Sequence, residues 1–271
     1  MRSLERIDQW PAPHAAAAVV RADGTVAGTH GDTARTFRLA SVTKLLTAYT
    51  ALIAIEEGVV ELDTPAGPEG STIRHLLAHT AGLGFDSERV MARPGTRRMY
   101  SNAGFGVLGE ALAEHSGIPF ADYLSEALLA PLGMTSTRLA GSPGAGGVSS
   151  VDDLARFAAE LQAPKLLAPP TLHEATSVAF PGLTGVLPGL GHQKPNDWGL
   201  GFEIRDHKSP HWTGADSSPR TFGHFGQSGT FLWVDPDAGA ACVVLTDLDF
   251  GPWAIEAWPP FTDAVLAELR G

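Results

Sequence analysis

The chain has 271 residues, 44% of them hydrophobic, enough to bury a large core as one domain or as two closely packed subdomains. Its net charge of −11 argues against a general role on nucleic acid or anionic membranes. No run approaches the ~18 apolar residues of a membrane span, and a single cysteine, Cys242, excludes an intrachain disulfide.

In chain order, Arg2 and Arg6 are interrupted by Glu5 and Asp8, and no apolar segment precedes Pro11. No secretory signal is expected, and the cytoplasm is the expected location. Ala15 to Val20 and Thr25 to Gly28 flank an Ala22-Asp23-Gly24 turn as a hairpin, followed by Thr36 to Leu39 as a short strand. Val42, Leu45, Leu46, Tyr49, Leu52 and Ile53 then recur at three- and four-residue spacing. This predicts a strongly amphipathic helix with Ser41 as an N-cap type and Gly58 as its stop. From about Leu62 to Val178 the chain reads as helical segments broken by Gly and Pro, including Ala103 to His115, Phe120 to Ala130 and Val151 to Gln162. Phe202 to Arg205, Thr230 to Val234 and Ala240 to Thr246 read as strands, and Trp253 to Arg270 contains a closing helix delayed by Pro259-Pro260.

The segment that carries chemistry is Ser41-Val42-Thr43-Lys44. Positions i and i+3 share a helix face with Cβ atoms roughly 5 to 6 Å apart, so Lys44 can reach the Ser41 hydroxyl. The positive end of the helix favours an alkoxide, and a partly desolvated lysine has a lowered pKa, which together make a nucleophile and a base. Alone, the same spacing fits a capping serine and a solvated lysine. Two later tripeptides in order, Tyr100-Ser101-Asn102 and His224-Phe225-Gly226, give it context.

Ser-x-x-Lys, Ser-Asp-Asn and Lys-Thr-Gly mark class A β-lactamases and penicillin-binding proteins, and all three elements stand here in variant form. The chain resembles that superfamily, in the branch of class C β-lactamases, DD-peptidases of the Tyr-Ser-Asn type and related esterases. The resemblance covers nearly the whole chain: Phe37-Arg38-Leu39-Ala40, Leu76-Leu77-Ala78-His79-Thr80-Ala81-Gly82-Leu83, Pro94-Gly95, Pro131-Leu132-Gly133-Met134 and Gly146-Gly147-Val148-Ser149-Ser150 with Asp153-Leu154. It implies an α+β fold in which an antiparallel sheet is flanked by terminal helices and carries an inserted helical subdomain. Residues 1–62 and 196–271 would form the sheet part and 63–195 the helical part, with the site in the cleft between them.

By the same resemblance Ser41 is the acylated nucleophile, Lys44 its proton partner and Tyr100 the phenolic proton shuttle. Asn102 orients Lys44 and a substrate carbonyl, and the N–H groups of Ser41 and Gln227 form an oxyanion hole. Gly226 suits a strand along which substrate passes closely. Two departures matter. His224 replaces the usual lysine, with a charge that depends on pH, and Phe225 replaces the usual Thr or Ser that would bind a substrate carboxylate. No Glu-x-x-Leu-Asn segment supplies a class A deacylation glutamate, so deacylation should run through Tyr100.

The expected activity is that of a cytosolic serine hydrolase of small acyl esters or amides, needing no metal and no cofactor. A β-lactamase or D-amino-acid peptidase is the alternative within the class, and a non-catalytic binding protein the alternative outside it. The expected partner is a small-molecule acyl substrate, with no nucleic acid and no membrane. Pro181 to Pro195 and Lys208 to Thr221 read as loops, the former rimming the cleft. Three features read as decoys. His75 and His79 lack the glutamate of a zinc-protease motif, Gly226-Gln227-Ser228-Gly229 lacks the second glycine of a nucleophile elbow, and Asp152-Asp153 suits a helix start.

Overall fold

The computed structural model describes residues 1–271. A 3-10 helix, Arg2–Gln9, leads into β1 (Ala15–Arg21) and β2 (Val26–His30), joined through Gly24 at φ 82°. β3 (Thr36–Arg38) enters a 3-10 turn, Ala40–Val42, from which α1 (Thr43–Glu56) continues until Gly58 at φ 74° ends it. Then come α2 (Ile73–Leu77), α3 (Asn102–Ser116) and α4 (Phe120–Leu124), the last prolonged by a π-helical turn over Ser125–Leu129. β4 (Arg138–Leu139) and β5 (Gly147–Ser150) precede α5 (Val151–Gln162), α6 (Pro169–Ala175) and the hairpin β6 (Gly185–Leu187) and β7 (Gly191–Gln193). The chain closes with β8 (Glu203–Ile204), β9 (Phe222–Gly226), β10 (Thr230–Asp235), β11 (Ala240–Thr246) and α7 (Pro252–Arg270).

The main sheet has six antiparallel strands in the order β2-β1-β11-β10-β9-β8. Successive side chains of a strand point to opposite faces, and the core divides accordingly. Ala16, Ala18, Val20, Leu232, Val243 and Leu245 join the cluster built with α1 and α5, whereas Ala17, Val19, Phe231, Trp233, Cys242 and Val244 join Trp258, Phe261 and Val265 of α7. Because α5 packs on β1, β10 and β11, the 63–195 segment expected as the helical part also covers one face of the sheet. No helix is long and apolar enough to cross a membrane.

Several details differ from the sequence reading. α1 is buried all round from Thr43 to Ala54 rather than amphipathic. Its polar groups are satisfied inside: Thr43, Thr47 and Thr50 donate to the carbonyls of Ala40, Pro143 and Leu46, as a central helix requires. Ser41 lies within the 3-10 turn and makes no capping hydrogen bond. The stretch from Leu62 to Val178 also contains β4 and β5, and β5 pairs with β3, setting the glycine-rich loop 141–147 against the Ser41 turn. α7 starts at Pro252 and runs through Pro259 and Pro260. Pro252 stands in the first turn, where the missing N–H has no partner to lose. Ile255 and Glu256, the acceptors that the two inner prolines leave unused, are exposed to water.

β9 presses on the Ser41 turn. A Cβ on Gly226 would lie 2.3 Å from the Leu39 carbonyl oxygen and 3.2 Å from Ala40 Cβ, so the absent side chain is dictated by this packing rather than by substrate passage alone. Ala40 itself sits at φ 45°, a left-handed conformation that costs an L-residue on the order of 1 to 3 kcal/mol and persists because its surroundings fix it. Gly226→Ala should lower stability by about 2 kcal/mol through overpacking, whereas Gly58→Ala, with no atom within 4 Å of its Cβ, should cost only about 1 kcal/mol for its positive φ. Urea unfolding of both variants checks this, and equal costs would mean that β9 can move off the turn freely.

Candidate active site

The Lys44 side chain leaves α1 for a fully buried position. Its Nζ lies 2.5 Å from Asn102 Oδ1, 2.8 Å from the Gly144 carbonyl oxygen and 3.4 Å from Ser41 Oγ. It also lies 4.6 Å from the centre of the Tyr100 ring. Burial holds the amine well below the usual lysine range, and the Asp86 carboxylate only partly offsets this. A neutral amine has two N–H bonds and one lone pair. In that form, donation to Asn102 and Gly144 would leave the lone pair for the Ser41 hydroxyl.

Tyr100 precedes α3 and Asn102 opens it. Ser101 caps the helix by accepting from Gly104 N–H, while its hydroxyl donates to the Gly84 carbonyl. This fixes Asn102, whose Nδ2 donates to Asp86 Oδ1 at 2.8 Å while Oδ1 accepts from Lys44. Burial pushes the Tyr100 phenol above its ordinary range, and the neighbouring Ser41 hydroxyl offsets this only in part.

On β9, His224 Nδ1 donates to the Phe225 carbonyl at 2.5 Å, and Nε2 lies 3.2 Å from the Tyr100 hydroxyl. The ring is therefore the Nδ1–H tautomer, and Tyr100 donates to Nε2. Burial above all lowers its pKa to about 3, which disfavours the imidazolium through the range in which enzymes work, contrary to the pH-dependent charge expected from sequence. Phe225 also departs from expectation. Its ring is buried between Trp212, Phe250 and Trp258, with centroids at 5.8, 4.8 and 6.0 Å, because strand alternation turns it to the α7 face. It does not line the cleft as a substrate-binding side chain. Gln227 is exposed, its side chain donates to the Phe250 carbonyl, and its backbone N–H meets no acceptor in the protein.

Ser41, Lys44, Tyr100, Asn102 and His224 are thus brought together, with Gly226 against the turn behind Ser41. Sequence reading missed Asp86, in a loop without a local pattern, and the Gly144 carbonyl, since a backbone acceptor leaves no residue type to recognise. It also missed the brace behind β9. There Glu203, paired with Gly223 across the sheet, holds Lys208 and His211 each at 2.9 Å and accepts from Trp212. Burial opposes the Glu203 charge, yet these partners keep it below the ordinary carboxylate range. The decoys resolve structurally. Ser228 is buried and donates to the Arg38 carbonyl at 2.6 Å, Ser150 rather than the acidic pair caps α5, and α2 ends before His79, which separates it from His75.

Beside Tyr100 opens a groove of about 560 Å³ lined by Leu83, Phe85, Met99, Val186 and Pro188, with Arg97 and His192 among its polar members. The β6–β7 hairpin, in the stretch expected as a loop rimming the cleft, forms one side of it. A crevice of about 600 Å³ lies elsewhere, under α5 and α6, and contains none of these groups.

The family model described as Beta-lactamase matches residues 5–264. A crystal structure of a β-lactamase from Mycobacterium bovis superimposes with a TM-score of 0.97 at 61% identity, covering 98% of this chain and 99% of that one. Penicillin-binding protein 4* of Bacillus subtilis is 29% identical over 38% of this chain and 30% of its own length. The D-alanyl-D-alanine-carboxypeptidase/endopeptidase AmpH of Escherichia coli is 28% identical over 39% of this chain and 37% of its own. The match thus spans about a third of the length of these two relatives.

Phe225→Thr should leave a cavity among Trp212, Phe250 and Trp258 and destabilise the protein by about 3 kcal/mol. Denaturant unfolding measures it, and an unchanged midpoint would mean that the ring lies outside the core.

Proposed function

Since the chain belongs to the Beta-lactamase family, we propose that it is a serine hydrolase that forms an acyl-enzyme on Ser41 and cleaves esters or amides of small, neutral, partly apolar acyl groups. The observation that carries the reading is the buried Lys44 amine, with both N–H bonds committed to Asn102 and Gly144 and the Ser41 hydroxyl at its third position. Lys44 takes the Ser41 proton as Oγ attacks the substrate carbonyl. The N–H groups of Ser41 and Gln227 receive the oxyanion; loss of one such donor typically costs about 2.7 to 4 kcal/mol. The proton passes by way of Tyr100 to the departing alcohol or amine. Water then attacks the acyl-enzyme, giving its proton back along the same path to Ser41 as the acid leaves.

The substrate class follows from charge and shape. His224 is neutral, the third motif offers no side-chain hydroxyl beside it, and Lys44 holds no full charge at rest. A buried carboxylate needs donors to replace its hydration; in the groove beside Tyr100 these are confined to Arg97, Arg98, Thr184 and His192, and Leu83, Phe85, Met99, Val186 and Pro188 supply an apolar wall for an acyl group. The cytoplasmic location expected from the sequence belongs to the same proposal. A second reading, hydrolysis of β-lactams or of peptides ending in D-amino acids, is favoured by the 61% identity to the Mycobacterium bovis β-lactamase.

A fluorophosphonate should add to Ser41, by intact mass and peptide mapping, and not to Ser41→Ala; labelling that persists in that variant or maps to Ser228 contradicts the assignment. Activated short-chain esters should be hydrolysed with a higher kcat/KM than penicillins, cephalosporins or D-Ala-D-Ala peptides. A β-lactam that outperforms every ester establishes the second reading, and a protein that neither labels nor turns over any of them is a binding protein.

Proton transfer is tested by pH. The nucleophile is activated only while Lys44 is neutral, so kcat/KM falls on the acid side as Lys44 protonates. The Asp86 carboxylate raises the Lys44 pKa, so Asp86→Asn should move this acid limb to lower pH. A limb that stays in place or moves to higher pH contradicts Lys44 as the base. Tyr100→Phe should fold normally and lose about 10²- to 10⁴-fold in turnover.

A further inference from the structure

His79 is a buried titratable group at this site to which the mechanism above gives no part. It follows α2 at φ 55°, strain of the kind that a protein retains where the side chain must be aimed. Two backbone hydrogen bonds hold it there: its N–H donates to Leu76 and its carbonyl accepts from Met99 N–H at 2.7 Å. The ring is buried. It lies against the Tyr100 ring at 4.6 Å and the Phe105 ring at 5.1 Å, and meets Trp198 edge to face at 4.7 Å.

Nδ1 accepts from the Ser101 N–H at 3.2 Å. That fixes the tautomer, because a proton on Nδ1 would face the amide proton. The remaining proton sits on Nε2, which has no hydrogen-bond partner. The titratable groups facing the ring are Lys44 from α1, His224 from β9, and Arg98 and Tyr100 from the segment leading to α3, and none is an anion. Burial, then Lys44, His224 and Arg98, hold His79 well below the ordinary histidine range.

We propose that His79 is a positioning residue of the proton relay: its imidazole sets Tyr100 by packing against the phenol ring and sets Asn102 through the Ser101 amide. Both relay partners of Lys44 and Ser41 are thereby indexed to one rigid ring. The inference rests on the Ser41 acyl-enzyme reading. A protonated His79 would lose the Ser101 hydrogen bond and place a cation beside Lys44, so the relay requires the neutral form.

The test compares His79→Asn in the wild-type and Tyr100→Phe backgrounds. Asparagine tolerates the left-handed backbone and its Oδ1 can still accept from Ser101 N–H, so only the ring is removed. Its kcat on an activated ester should fall about 10- to 100-fold, a part of the ~10²- to 10⁴-fold that a positioned acid–base group contributes, with KM nearly unchanged. In the Tyr100→Phe background the same substitution should have almost no further effect, because the hydroxyl it positions is gone. An unchanged kcat in His79→Asn, or an equal loss in both backgrounds, overturns the inference. Should the variant not fold, ¹⁵N NMR of the wild type decides: the neutral Nε2–H tautomer from pH 5 to 9 supports the proposal, and an imidazolium or an Nδ1–H tautomer overturns it. A wild type without Ser41-dependent turnover overturns the proposed function and this inference with it, whereas an active wild type with a fully active His79→Asn overturns this inference alone.

Discussion

The structure around the cleft is organised by one constraint, the burial of the Lys44 amine. A lysine taken wholly out of water without a carboxylate beside it must either give up its proton or destabilise the fold. Here it is surrounded by an amide oxygen, a carbonyl and a hydroxyl, none of which supplies the negative charge that would offset the burial of a cation. The nearest acid, Asp86, reaches it only through Asn102. Each of the three contacts draws a different part of the chain to α1: the start of α3, the glycine-rich loop and the 3-10 turn itself. The loop is tied further by Thr43, which accepts from Gly147 N–H, and by Thr47, which donates to Pro143.

The second element of order is β9. Gly226 lets it lie against Leu39 and Ala40, so the strand and the turn carrying Ser41 form one rigid corner. Behind the strand, Glu203 collects Lys208, His211 and Trp212 in a buried network whose charges are mutually paired. Removing one partner of such a network is far more damaging than replacing the whole, which makes this brace a fixed back wall. Between wall and corner, His224 is left neutral and turned to the Tyr100 hydroxyl.

Much of this was legible in the chain because local chemistry and periodicity agree. α5 and β11 fall at their expected limits because their apolar positions keep a period of 3.6 or form a continuous run, bounded by Ser150 and by Gly239. Ser41, Lys44, Tyr100, Asn102 and His224 meet because the motif order that the sequence displays is the order in which α1, α3 and β9 reach the cleft. What sequence could not convey depends on three-dimensional packing. The polar residues of α1 looked like a solvent face but are satisfied by carbonyls from distant loops. Phe225 looked like a cleft residue until strand alternation turned it into the α7 core. The Gly144 carbonyl and Asp86 act through position, not through residue type in a pattern.

The central claim is that Lys44 is a neutral amine at rest with its lone pair on Ser41. The most direct measurement is a ¹⁵N NMR titration of the lysine Nζ groups, with Lys44 assigned by Lys44→Met and the other lysines, Lys165, Lys194 and Lys208, as internal references. The account predicts that Lys44 shows the neutral-amine signal at pH 8. A Lys44 signal that stays ammonium until the ordinary lysine range would contradict it.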